Sequence, residues 1–248
     1  MRLADKPAES TAQVSPALVS SPPSSTLPAS TLPTSAALDS EAIFRIAVGD
    51  FEAGRDAVLQ ERGDICFEDS PAPRRLAPYA AAMGAIAYRD GIPDDLADGV
   101  EAGSGRLVLL YDPDGQEGWT GVFRLVAYVR ADIEEEMAAD PLLGEVGWSW
   151  LTDALEQRAP GYTAPSGTVT RVVTEGFGAK AGELPVTGFE LRASWSPPED
   201  TDLGVNVVAW CDLLAAAAGL PAPPPGTRAL RTGPPRGGPP HPAGRRRR

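Results

Sequence analysis

Three carboxylates fall within six positions in the stretch YDPDGQEGWTG: Asp112, Asp114 and Glu117, with Trp119 close behind. Converging oxygens of this kind suit a hard divalent cation such as Mg²⁺ or Ca²⁺. The best-defined carboxylate loop, the EF-hand, needs D-x-[DN]-x-[DN]-G and a Glu at position twelve. Counted from Asp112, position five is Gln116, position six is Glu117 and position twelve is Phe123. With Gly115 as the invariant glycine, the loop would begin at Leu110 and end at Gly121. Both registers fail. Turn chemistry accounts for the same residues: Asp opens a turn, Pro follows it, and an Asp-Gly step supplies a positive φ. No metal is expected, and Asp112, Asp114 and Glu117 stand as weak candidates only.

The remaining reactive types are scarce. The single histidine, His241, lies near the C-terminus, so residues 41–220 have no imidazole for a Ser-His-Asp or Cys-His pair. Two separated cysteines, Cys66 and Cys211, cannot make a zinc centre without histidine, and they are too few for a disulfide framework. Lys180, one of two lysines, sits in GFGAKAG between two strand-like runs, where nothing desolvates its amine. GSGRLV at residues 103–108 has GxG spacing but leads into a strand, whereas a dinucleotide fingerprint must open a helix. No cofactor is expected.

Composition divides the chain. Fifteen of 26 prolines lie in residues 1–40 and 221–248, and these segments read as disordered tails around one domain at residues 41–220. From Arg228 to the end there are seven arginines and no acid, which leaves the middle with a net charge of −18. Such a domain repels phosphate backbones, so nucleic-acid binding through it is excluded. The terminal Arg245–Arg248 can make only weak anionic contacts. There is no signal-peptide h-region and no run of eighteen apolar residues, so no membrane span is expected and the cytoplasm is the expected compartment.

Periodicity gives the elements. From Asp39 or Ser40, Phe44, Ala47, Val48, Phe51, Val58 and Leu59 recur at helical spacing, ending near Gly63. Short strands follow in DICFED and at about residues 79–89, and the acidic GIPDDLADGVEAGSG reads as a loop. RLVLLYD and WTGVFRLVAYVR form a hairpin whose second strand carries Trp119, Phe123, Leu125, Ala127 and Val129 on one face. ADIEEEMAADPLL and EVGWSWLTDALEQR are helical; GTVTRVVTEG and TGFELRASW are strands. A last helix spans Thr201–Ala218, with a stripe of Leu203, Val207, Trp210, Cys211, Leu214 and Ala218. With no βαβ alternation, the expected fold is α+β: a largely antiparallel sheet of five or six strands with helices packed on one face.

Two surface features remain. Trp148 and Trp150 are about 200° apart on one helix and cannot share a face, so one is expected in the core and the other against another surface. Glu134, Glu135 and Glu136 form a solvated helix face or select a basic partner. The block DPDGQEGWTGVFRLVAYVRADIEEEMAADPLLGEVGWSWLTDAL, with SPAPRRLAPYA before it and WCDLLAAAAGLPAPPPG after it, resembles the actinobacterial family known as domain of unknown function 3000. The resemblance covers about residues 41–226 and implies a bacterial, cytoplasmic protein; it brings no activity, cofactor or catalytic residue. A ratio of 20 Arg to two Lys fits the same source. The expected function is a non-enzymatic acidic binding, adaptor or regulatory protein acting through a protein partner or as a homodimer. The alternative is a carboxylate- or divalent-metal-dependent enzyme or small-ligand-binding protein.

Overall fold

Asp39 starts the first helix by accepting the Ala42 N–H at 2.7 Å. The helix, α1 (Ser40–Glu61), turns Ala47, Phe51, Gly54 and Val58 inward at spacings of four, three and four. A computed structural model describes residues 39–93, 95–96 and 99–223. The two expected terminal tails lie almost wholly outside these residues. Arg62 ends α1: its backbone N–H meets the Val58 carbonyl, and its buried guanidinium grips Asp64 through two bonds of 2.9 and 2.8 Å. The same guanidinium donates to the Pro221 carbonyl, tying the chain that follows the last helix to the first strand.

The strands are β1 (Ile65–Asp69), β2 (Tyr79–Tyr88), β3 (Glu101–Tyr111), β4 (Phe123–Asp132), β5 (Thr163–Thr174) and β6 (Val186–Ser196). They form one sheet in the order β1-β2-β3-β4-β6-β5, every neighbour antiparallel. The helices are α1, α2 (Glu135–Ala139), α3 (Leu143–Arg158) and α4 (Gly204–Ala217). The fold is thus the expected α+β arrangement, with six strands and residues 79–88 extended.

One sheet face carries Leu107, Leu109, Leu125, Ala127, Val129, Leu191 and Trp195, all buried beneath the helices. Helix α4 runs over β2, β3 and β4 with α1 and α3 packed beside it. That position explains why it is buried nearly all round rather than along one stripe. Trp195 donates its Nε1–H to the Asn206 side-chain oxygen Oδ1 at 2.8 Å inside this layer, and the Asn206 amide donates to the Leu203 carbonyl at 3.4 Å, so the one buried side-chain amide of α4 is satisfied. Arg158 of α3 bonds Asp212 of α4 at 2.8 Å and lies 3.7 Å from Glu61 of α1, fastening the three helices at one end.

Several boundaries differ from the sequence reading. EAGSG is not a loop but the first half of β3. Its glycines are sockets: a Cβ on Gly105 would stand 2.9 Å from Trp210, and one on Gly103 would stand 3.3 Å from the Ala218 side chain. Strand β4 begins at Phe123 rather than Trp119, because Gly118 and Gly121 hold φ values of +82° and +81° and keep residues 118–121 out of extended conformation. Trp119 therefore belongs to the connection and does not begin the apolar face. Helix α2 is shorter than ADIEEEMAADPLL, since Ala131 and Asp132 continue β4 and pair with Phe189 and Gly188.

The opposite sheet face is partly covered. Arg106 of β3 donates to the Pro71 carbonyl, and Gln116 donates to the Leu76 carbonyl at 3.0 Å, so residues 70–78 are held across it. On β4, Arg124 is buried among hydroxyls, donating to Ser194 at 2.8 Å and to Ser196 at 3.3 Å. Burial pulls its guanidinium pKa below the ordinary arginine range.

Candidate protein interface at the β5 edge

The sheet has two outer strands of very different kinds. Strand β1 has five residues, whereas β5 has twelve, and all of those except Val169 and Val172 are exposed. β5 pairs with β6 on one side only, so the backbone groups of its other side form an open row. Its start is irregular: Ala164 has φ +48° and Pro165 follows, and the register slips between Thr163 and Ser166. From Ser166 to Thr174 the strand is regular, proline-free and carries one charge, Arg171.

Apolar side chains gather where this strand ends. Phe177 and Leu184, in the connection to β6, are 79% and 88% exposed, and Val173 and Val186 beside them are exposed too. The Ile133 N–H bonds the Thr187 carbonyl at 3.2 Å, and Arg171 donates to the Pro141 carbonyl at 2.9 Å. These bonds bring α2 and the start of α3 to the same end of the sheet, with Met137, Leu142 and Val146 exposed on them. Seven of the twelve large apolar side chains exposed among the described residues thus lie on segments joined at this end. Clustered exposed apolar area marks an interaction surface, while single exposed residues do not.

Two of the sequence candidates border this surface. Trp148 of α3 lies over Gly167 of β5, where a Cβ would stand 2.9 Å from its ring. Trp150 stacks obliquely on Phe189 of β6 with ring centroids 5.4 Å apart. Both tryptophans are half-buried against the core, because α3 lies along the sheet rather than end-on and uses two sides of itself. Glu134 precedes α2 and Glu135 and Glu136 fill its exposed first turn, so the acidic run forms the margin of the apolar cluster.

The other candidates sit at the far end of β4. Asp112 Oδ1 accepts the Asp114 N–H at 3.1 Å, Oδ2 accepts from the Gln116 amide at 2.9 Å, and its carbonyl accepts the Gly115 N–H at 3.0 Å. This carboxylate closes the turn with both oxygens, and Gly115 takes the positive φ of +70°. Asp114 and Glu117 are exposed, and among the described residues no three His, Cys, Asp or Glu side chains are grouped to hold a metal ion. Lys180 stands exposed in a single 3-10 turn, Gly178–Lys180. Burial pushes the Cys66 thiol up and the Cys211 thiol well up, so neither is a ready thiolate at neutral pH.

Sequence reasoning missed the β5 edge and Arg124. The signal for the first was present in SGTVTRVVT, nine residues with one charge; which neighbour the strand lacks is set by topology alone. The signal for the second was the polar position of Arg124 in an alternating strand, which gives its face but not its burial.

A family model described as a protein of unknown function, DUF3000, matches residues 42–227. The chain belongs to that family. No curated protein and no solved structure matches it. The DUF3000 match runs from the first turn of α1 past the end of α4, so the edge strand and its apolar cluster are part of the family's own unit. No described helix is long and apolar enough to cross a membrane.

Proposed function

We propose that this DUF3000 domain is a non-enzymatic binding module, of adaptor or regulatory type, that acts in the cytoplasm of an actinobacterial cell by holding another protein chain at the β5 edge. One observation carries the reading: a long unpaired strand ends in the cluster of Val173, Phe177, Leu184 and Val186. An open edge supplies main-chain hydrogen bonds to an added strand, and neighbouring apolar side chains supply the buried area. The groups at this edge are hydroxyls, alkyl chains, one ring and the Arg171 guanidinium, none of which is an acid, base or nucleophile poised for catalysis.

A photo-reactive benzoyl-phenylalanine placed at Phe177 tests this reading in cells. A covalent protein adduct is expected at residue 177 and none when the same group replaces Ile46, an exposed residue of α1. Absence of adducts at 177, or equal labelling at both positions, would overturn it.

A further inference from the structure

The chemistry of the β5 edge selects its occupant. An acidic domain attracts basic partners over most of its surface and repels copies of itself. Between Ala159 and Thr174, however, there is no Asp or Glu, and the one charge is positive. Two copies of this chain can therefore pair over Ser166–Thr174 without setting carboxylate against carboxylate, while a basic peptide laid along that segment meets only the like charge of Arg171. We propose that the occupant is a second copy of this chain, paired antiparallel β5 to β5. The proposal rests on the binding-module reading and names the partner.

The strand is self-complementary in this arrangement. A two-fold axis through Thr170, the midpoint of Ser166–Thr174, sets Thr168 against Val172 and Ser166 against Thr174. Each pair keeps its sheet face, because partners differ by an even number and the side-chain period is two. Ser166, Thr168, Thr170 and Thr174 then form a hydroxyl and methyl ladder on the face away from the helices, a pairing that favours strand association. Arg171 falls opposite Val169, so the like charges never meet directly.

The same register reaches the exposed ring. Beyond the regular segment, Phe177 of one copy is carried toward Ala164 and Pro165 of the other, which are themselves exposed. The bulge and proline that end regular pairing on one copy thus receive the aromatic side chain of its mate. The product is one continuous sheet of twice six strands, closed at both ends by the short strand β1. That removes the long open edge, which a protein otherwise has to protect.

A cysteine pair reads the register directly. In the full chain with Cys66→Ser, which leaves only the buried Cys211, Thr170→Cys is expected to form an intermolecular disulfide on mild oxidation. Two strand residues on the axis lie about 4.5–5.5 Å apart, within reach of a disulfide. Thr168→Cys, four residues out of register with its own copy, is expected to give no cross-link. Sedimentation of the unmodified full chain should show a dimer, and Val173→Asp should weaken it by about 100-fold or more with an unchanged circular dichroism spectrum. A monomer at about 100 μM, a dimer indifferent to Val173→Asp, or equal cross-linking at residues 168 and 170 would overturn the proposal. A monomer whose residue 177 still labels a different protein rejects self-pairing and leaves the binding-module reading standing; a monomer with no label at 177 rejects both.

Discussion

Gly54 of α1 meets Gly204 of α4 backbone to backbone: a Cβ on Gly54 would stand 2.3 Å from the Gly204 carbonyl oxygen. The two helices cross there at a distance that only two glycines permit, which seats α4 against α1 while it covers the sheet. Gly54→Ala is expected to cost about 1–3 kcal/mol by overpacking, read as a fall in Tm of roughly 2–4 °C per kcal/mol. Gly49 in the same helix is exposed with nothing within 4 Å of its would-be Cβ. Gly49→Ala should stabilise by about 0.5–1 kcal/mol, so opposite signs in thermal melts of the two variants are the check.

Two buried arginines make a contrasting pair. Arg62 holds the half-exposed Asp64 bidentately and the Pro221 carbonyl, so Arg62→Met strands a carboxylate and a carbonyl and should cost about 2–4 kcal/mol. Arg124 has no carboxylate, and its hydroxyl partners keep other bonds without it: Ser196 accepts the Thr120 N–H at 3.1 Å, and Ser166 lies 3.3 Å from Ser194. Arg124→Met is therefore expected to change stability by less than about 1 kcal/mol, since an apolar replacement of a buried charge is often neutral. Urea denaturation of both variants measures the difference; an equal loss would sink the argument.

The number, type and order of the elements could be read in the sequence because each carries its own period, as in Phe189, Leu191, Ala193 and Trp195 of β6. What escaped was tertiary in cause. EAGSG has loop composition, yet it is strand because Trp210, more than a hundred residues later, needs the space at Gly105. The β5 edge is exposed because β6 pairs with β4 on its other side, a choice of neighbours that no local pattern records. The carboxylates at 112–117 were legible as a turn, since a turn is local; the candidate interface was not, since it assembles α2, α3 and the β5–β6 connection.

Asp112 tests that local reading. Asp112→Ala removes both side-chain bonds that close the turn, to the Asp114 N–H and the Gln116 amide, and should cost about 1–2 kcal/mol. Asp114→Ala and Glu117→Ala, at exposed positions, should each stay within about 0.5 kcal/mol. Addition of Mg²⁺, Ca²⁺ or Mn²⁺ should leave the melting temperature of the unmodified chain in place. A metal-dependent rise that all three substitutions abolish would restore the cation site instead.

Cys211 makes the alkaline limb of stability specific. Its thiol is fully buried in α4, and burial, aided by the neighbouring Asp212 charge, pushes its pKa well above the ordinary thiol value. A thiol whose folded pKa exceeds its unfolded one favours the folded state while it stays protonated. That contribution is complete below the unfolded pKa, about 8.5, and is lost as pH rises from there toward the folded pKa. Tyr88, Tyr128 and Tyr162 are also raised, chiefly by burial, and add their own losses from about pH 10 upward. The unmodified domain should therefore lose stability steadily between about pH 8.5 and 10.5. Cys211→Ala should start lower, by the cost of the small cavity, but run flatter over the first part of that window, below about pH 10 where tyrosines enter. Urea midpoints at half-unit steps of pH provide the measurement, and parallel slopes for the two proteins would show that the Cys211 thiol does not set this limb.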